Sequence, residues 1–212
     1  MALILFDLDG TLIDSEAGIV NSICYALERL GAPSPPREEL RAWIGPPLRV
    51  TFPLALGDDL VAIERAVDLY RERFSTVGWR EHEVYPGIGE VVEALADRGD
   101  RLAVVTTKPD LYAEKIVRSL PFGARFESVY AAQPASRDSE KAAMIARALR
   151  DFGSRADDAV MVGDRHFDID GARANRVRAL GVRWGFGSDE ELRAAGADAI
   201  ADDPPALHAL LR

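Results

Sequence analysis

Short, unbroken apolar runs that end at carboxylate or hydroxyl groups, with helix-length amphipathic stretches between them, narrow this chain to one class of architecture. Leu3-Ile4-Leu5-Phe6 runs into Asp7-Leu8-Asp9-Gly10-Thr11, residues 102–105 run into Thr106-Thr107-Lys108-Pro109, and residues 159–162 run into Gly163-Asp164. Residues 179–182 make a further run and residues 128–131 a weaker one. Each reads as a strand buried in a sheet. Between them apolar side chains recur at helical spacing: Ile88, Val91, Val92 and Leu95, then a helix to about Leu120. Residues 139–152 follow, with Ala142, Ile145, Ala146 and Leu149 on one face. Strands alternating with helices build βαβ units, so the expected class is α/β with a parallel sheet.

One block has a different texture. Asp14 and Ser15 offer N-cap chemistry to a helix carrying Ile19, Val20, Ile23, Leu27 and Leu30, which Gly31 stops. Pro33, Pro35 and Pro36 lead into a short segment, 38–44, and Gly45-Pro46-Pro47 interrupts the chain again. Asp58 or Asp59 then caps a long helix with Leu60, Ile63, Val67, Tyr70 and Phe74 on one face. The expected organisation is a sheet domain from residues 1–14 and 84–212, with an all-helical insertion at 15–83 directly after the first strand. Hinges are expected near Asp14–Ser15 and at 84–87. Gly87-Ile88-Gly89 follows a proline rather than a strand, so it reads as hinge and helix start rather than a nucleotide loop.

In open parallel sheets, chemistry sits beyond the carboxyl ends of the strands. That rule gathers Asp7, Asp9, Thr106, Thr107 and Asp164 into one region. Side chains at i and i+2 of a strand point the same way, so Asp7 and Asp9 are expected to emerge together. Alone, Asp-x-Asp-Gly is an ordinary turn; three polar strand ends together are not explained that way. Like charges ~4 Å apart repel by about 4 kcal/mol at an effective dielectric of 20, so Asp7, Asp9 and Asp164 call for a counter-charge. A hard divalent cation with oxygen ligands, such as Mg²⁺, supplies it. Zinc is not indicated, because the chain has one cysteine, Cys24, and its histidines, His82, His166 and His208, are scattered.

Composition excludes several classes. The net charge of −9 and the lack of a dense Lys/Arg block argue against a nucleic-acid partner. The first apolar run stops at Asp7, far short of the ~20 residues of a membrane helix, so no membrane partner is expected. A single cysteine allows no intrachain disulfide and fits a reducing, cytoplasmic setting; Cys24 itself reads as core.

These motifs resemble those of the haloacid dehalogenase superfamily, phosphatase branch, over essentially the whole chain. Asp7-Leu8-Asp9-Gly10-Thr11 is similar to its first motif, Val104-Val105-Thr106 to the second, Lys141 to the third, and Gly163-Asp164 with Asp168 to the fourth. The insertion resembles the helical cap of the phosphoglycolate phosphatase-like group, as do Trp43-Ile44-Gly45-Pro46-Pro47-Leu48 and Gly181-Val182-Arg183-Trp184-Gly185. The resemblance implies a Rossmann-like core with a helical-bundle cap, and a Mg²⁺-dependent hydrolase of a small phosphorylated metabolite. It implies Asp7 as nucleophile, forming an aspartyl-phosphate, and Asp9 as the acid that protonates the leaving alkoxide and then activates water. Mg²⁺ would be held by the Asp7 carboxylate, the Asp9 backbone carbonyl and Asp164, with Asp168 ordering metal-bound water. Thr106 and Lys141 would hold the phosphoryl oxygens, and Gly10 and Thr107 would offer backbone donors. Neighbouring negative charge is expected to keep Asp9 protonated more readily than Asp7.

Some assignments stay open at this level. Relatives often carry Lys-Pro at the third motif where this chain reads Ser139-Glu140-Lys141-Ala142, so Lys108 is a reserve for Lys141. Arg165 could reach substrate, His166 reads as surface, and the Trp43 segment suits either cap packing or the cleft. Phosphoglycolate is the leading substrate, a nucleoside monophosphate the next, and a sugar-phosphate phosphatase or mutase a further alternative. From another class, a non-catalytic aspartyl-phosphate switch like bacterial receiver domains is opposed by Asp9 and by the insertion. Monomer and homodimer are both compatible with the sequence.

Overall fold

In the computed structural model, which describes residues 1–133 and 140–212, the chain divides into two compact units, Met1–Asp14 with Val84–Arg212, and Ser15–Glu83. Strands β1 (Leu3–Phe6) and β2 (Ile13–Asp14) come first. The helical unit follows, with α1 (Glu16–Arg29), α2 (Arg37–Arg41), α3 (Leu48–Thr51), α4 (Pro53–Leu56) and α5 (Leu60–Thr76). β3 (Glu83–Val84) pairs with β2 where the chain returns.

Within the helical unit, α1 buries Ile19, Val20, Ile23 and Leu27, and α5 buries Ile63, Val67, Leu69 and Phe74, the two apolar stripes packing together. Arg73 grips Glu81 at two points, 2.7 and 2.9 Å, and also donates to the Ser22 hydroxyl at 3.2 Å. Asp59 caps α5, accepting from the amides of Val61 and Ala62 at 3.0 Å each. Ser15 stands at the N-cap of α1, yet its hydroxyl makes no capping bond. The segment expected at 38–44 is the five-residue α2 instead. α3 and α4 went unread because a single helical turn has no periodicity to read, and the prolines around them look like a break. Cys24 is half-buried.

In the other unit, β1 is joined by β4 (Arg101–Pro109), β5 (Ser128–Ala132), β6 (Ala159–Gly163), β7 (Arg178–Val182) and β8 (Ala199–Ala201) in a six-stranded sheet of order β5-β4-β1-β6-β7-β8. Every neighbouring pair is parallel, as the α/β reading expected. Helices α6 (Ile88–Asp97), α7 (Asp110–Ser119), α8 (Lys141–Phe152), α9 (His166–Ala174), α10 (Asp189–Ala195) and α11 (Pro204–Leu210) connect and cover the strands. Leu3, Leu5, Ala103, Val105 and Met161 pack with Met144, Ile145, Ala148, Ile169, Ala172 and Leu192, which puts α8, α9 and α10 on one face. The alternate residues Ile4, Phe6, Leu102 and Val104 are just as buried. A sheet covered on both faces explains why its strands read as continuous apolar runs. The chain builds outward from β1 to β4 and β5, then crosses back to place β6 on the other side of β1. This reversal makes the carboxyl end of β1 the switch point, where such sheets open a crevice.

Two sequence expectations need correcting. β4 does not stop at residue 105; it continues to Pro109 with a register shift between Thr106 and Pro109, so Thr106, Thr107 and Lys108 lie in its tail. The helix expected at 139–152 is described from Lys141, residue 139 lying outside the described residues. Its fully buried side chains are Lys141, Met144, Ile145 and Ala148; of the expected face Ile145 is buried, while Ala142, Ala146 and Leu149 are half-buried, Leu149 packing on the core. A lysine at the head of the apolar stripe disguised it. Among the described residues, no helix is long and apolar enough to cross a membrane.

Candidate active site

Although the β1 ladder ends at Phe6, the Asp7 amide still donates to the Val162 carbonyl at 2.9 Å, so its backbone tracks β6. Counting by twos from Leu3 and Leu5 places Asp7 on the sheet face covered by α8 and α9. Lys141, the first residue of α8, reaches into that space. Its Nζ lies 2.8 Å from Asp7 Oδ1 and 2.7 Å from Asp168 Oδ1, and donates to the Val105 carbonyl at 3.0 Å. Asp168, in the first turn of α9, accepts the Arg165 amide on its other oxygen at 3.1 Å. Asp164 follows β6 and accepts from the Phe186 amide at 2.8 Å and the Thr11 hydroxyl at 3.4 Å.

Asp7, Asp164 and Asp168 are 8%, 0% and 1% exposed, and one oxygen from each lies within 4.8 Å of the others. Burial, partly offset by Lys141 and reinforced by Asp168 and Asp9, pushes the Asp7 carboxyl up to about 7. Asp164 is pushed well above the carboxylate range by burial first, then by Asp168 and Asp7. Burial pulls Lys141 down, but Asp168 and Asp7 outweigh it and raise it overall. Three buried carboxylates thus converge with oxygen-only donors, and Lys141 pairs with two of them. That donor set fits a hard divalent cation, which would balance the remaining charge.

A stability prediction follows from these signs. A carboxyl raised on folding binds more protons in the native than in the unfolded state, so metal-free stability falls as pH rises from about 4 through about 7. In EDTA, the Tm should therefore be lower at pH 8 than at pH 6, and Asp7→Asn should flatten that slope. A divalent metal should raise the Tm more at pH 8 than at pH 6, because it displaces protons from the same oxygens. A metal effect equal at both values would contradict the cluster as the metal site.

The turn after β1 is tight. The Leu8 carbonyl accepts from the Leu12 and Ile13 amides at 3.0 and 3.1 Å, and the Gly10 amide donates to the Ile13 carbonyl at 2.8 Å. Gly10 has φ +83°, and a Cβ there would land on the Asp164 carboxylate, so this position requires glycine twice over. Because the strand has already ended, the same-side argument does not extend to Asp9. Its two carboxylate oxygens sit 2.8 and 3.0 Å from Lys108 Nζ, apart from the three-carboxylate cluster. Each aspartate of the turn thus has its own ammonium, Lys141 on Asp7 and Lys108 on Asp9, while Asp164 and Asp168 also crowd Asp7.

The other candidates take these places. The Thr106 hydroxyl is buried and accepts the Lys108 amide at 3.2 Å, while Thr107 is exposed. Arg165, left open as a residue that could reach substrate, pairs with Glu191 at 2.8 Å, and the same Glu191 oxygen accepts the His166 amide at 2.9 Å. The His166 ring lies at the surface, 3.0 Å from Asp170. Sequence reasoning assigned no role to Thr11 or to the loop after β7. That loop supplies the Phe186 amide to Asp164, and the Trp184 indole donates to the Thr11 carbonyl at 3.1 Å. A Cβ at Gly185 would strike both Asp164 and the Gly10 carbonyl, so glycine lets this loop close on the site.

Comparison with known proteins finds relatives over nearly the whole chain. A 5'-nucleotidase of Pseudomonas aeruginosa is 41% identical over 208 residues, 98% of this chain and 94% of its own length. The tyrosine-protein kinase PtkA of Mycobacterium tuberculosis is 37% identical over 87% of this chain, which spans 63% of that protein. A phosphoglycolate phosphatase of Pseudomonas syringae is 26% identical over 95% of this chain and 76% of its own length. The solved structure of a haloacid dehalogenase-like family hydrolase from Streptococcus pneumoniae superimposes with a TM-score of 0.94 at 33% identity, covering 100% of this chain and 99% of that one. The family model described as haloacid dehalogenase-like hydrolase matches residues 4–182, and the chain belongs to that family.

Proposed function

We propose that this phosphoric monoester hydrolase is Mg²⁺-dependent and works through an aspartyl-phosphate on Asp7. The observation that carries the reading is the buried set of Asp7, Asp164 and Asp168, with Lys141 paired to Asp7 and Asp168, at the switch point of a parallel sheet. In this reading Mg²⁺ is held by the Asp7 and Asp164 carboxylates and the Asp9 backbone carbonyl. When bound, it supplies charge neutralisation for the phosphoryl group and for Asp7. The Thr106 hydroxyl, the Lys141 ammonium and the backbone amides of Gly10 and Thr107 hold the phosphoryl oxygens. Asp168 has one oxygen on Lys141 and the other on the Arg165 amide, so it keeps Lys141 in place, and with a metal bound it would order the water there.

The chemistry divides between the two aspartates of the first motif. Asp7 attacks phosphorus while Asp9 gives a proton to the leaving alkoxide; Asp9 then takes a proton from the water that cleaves the intermediate. Residues 15–83 are the helical cap in this reading.

The substrate reading is a nucleoside 5'-monophosphate. Its support is the 41% identity to the nucleotidase, against 26% to the phosphoglycolate phosphatase, which reverses the order expected from sequence. Phosphoglycolate is the second reading, supported by a relative named for it that matches 95% of this chain at 26% identity. A phosphate-release screen with Mg²⁺ over nucleoside monophosphates, phosphoglycolate and sugar phosphates tests both. The highest kcat/KM is expected on a nucleoside monophosphate, with EDTA stopping release. A preference for phosphoglycolate would select the second reading, and silence across the panel would overturn the phosphatase assignment.

A further inference from the structure

Lys108 is a buried ammonium to which the roles above give nothing to do. In the tail of β4, Thr106 is buried, Thr107 exposed and Lys108 buried again, so the strand's alternation turns this lysine inward. Its side chain is 5% exposed, and its Nζ lies 2.8 and 3.0 Å from the two oxygens of Asp9. Its own amide donates to the Thr106 hydroxyl at 3.2 Å, tying the ion pair to a group beside the phosphoryl site. Lys141 meanwhile is committed to Asp7, Asp168 and the Val105 carbonyl. The two lysines therefore hold different carboxylates.

A carboxylate touched at both oxygens by one ammonium is restrained in rotation and direction. That restraint matters most in the second half-reaction. There, a water oxygen bonds to phosphorus, the phosphorus–oxygen bond to Asp7 breaks with its electron pair returning to the Asp7 carboxylate, and the water's proton passes to Asp9. A misdirected base loses the orientation on which such a step depends. We infer that Lys108 is the positioning residue that aims Asp9 at the water hydrolysing the aspartyl-phosphate, an inference that rests on the function proposed above.

An aryl phosphate isolates this step, because its leaving group needs no proton and the first half-reaction stays fast. With the full chain, Mg²⁺ and p-nitrophenyl phosphate, Lys108→Met is expected to release a burst of about one nitrophenolate per site. Steady turnover should follow at a rate lower by about 10- to 100-fold, within the range of a disabled acid–base group. KM should fall with kcat, since the covalent intermediate accumulates. Lys108→Arg should restore most of the rate, its fork reaching both oxygens. A raised KM with unchanged kcat would make Lys108 a phosphate anchor instead. A slow variant without a burst would make its role structural. Either result overturns the inference. If Lys108→Met fails to fold, Lys108→Gln carries the same burst measurement. Silence of the wild type on every phosphate ester, or full activity of Asp7→Asn, would sink the phosphatase reading itself. A wild type that turns over beside a burstless Lys108→Met sinks only this inference.

Discussion

Asp7→Asn should lower kcat by about 10⁴-fold or more while leaving the metal-free protein at least as stable as the wild type at pH 8. The loss follows from the reaction: an amide cannot take up the phosphoryl group as a carboxylate does, and removal of a covalent nucleophile is among the largest single effects in catalysis. The gain follows from the site. Asp7 is buried and its carboxyl is pushed up to about 7, so above that pH the fold carries a charge that burial opposes. A neutral side chain of the same shape removes that cost, and Lys141 keeps Asp168 as a partner at 2.7 Å. Phosphate release and thermal melting in EDTA, on one preparation, check both halves. Retained activity would refute the nucleophile, and a Tm several degrees below wild type would refute the electrostatic account.

Lys141→Met should cost both stability and activity. It leaves Asp7 and Asp168 buried without their ammonium, beside the buried Asp164, and breaking a buried pair by removing one partner typically destabilises by about 3–5 kcal/mol. Loss of a charge facing the phosphoryl oxygens should lower kcat by about 10²- to 10³-fold. The stability loss should shrink in acid, where the carboxyls protonate, and with Mg²⁺, which supplies the missing positive charge. Urea titrations at pH 6 and pH 8, with and without Mg²⁺, measure this. A variant with wild-type kinetics and stability would remove Lys141 from the site.

Much of the fold was legible because a sheet buried on both faces writes its strands as unbroken apolar runs. The ends of those runs marked Asp7, Thr106 and Asp164 without any knowledge of packing. The misses have specific causes. Lys141 entered the site through the family resemblance; what was missed is that it heads the core stripe, which the burial of Met144, Ile145 and Ala148 on its face shows. The pairing of Asp9 with Lys108 could not be read, because it depends on β1 ending at Phe6 and on β4 running on to Pro109. Thr11 and Phe186 act through contacts across 153 and 22 positions of sequence, which no local pattern encodes. Gly185 was visible as part of a familiar run; its reason, close approach to Asp164, was not.

The central claim is a covalent bond between phosphorus and Asp7. Asp9→Asn lacks the base that cleaves that bond and should trap it when mixed with Mg²⁺ and an aryl phosphate. Acid quenching, proteolysis and mass spectrometry should then find one phosphoryl group, on the peptide carrying Asp7 and on that residue. An unmodified Asp7 peptide beside continuing phosphate release, or a phosphoryl group on another side chain, would contradict the account.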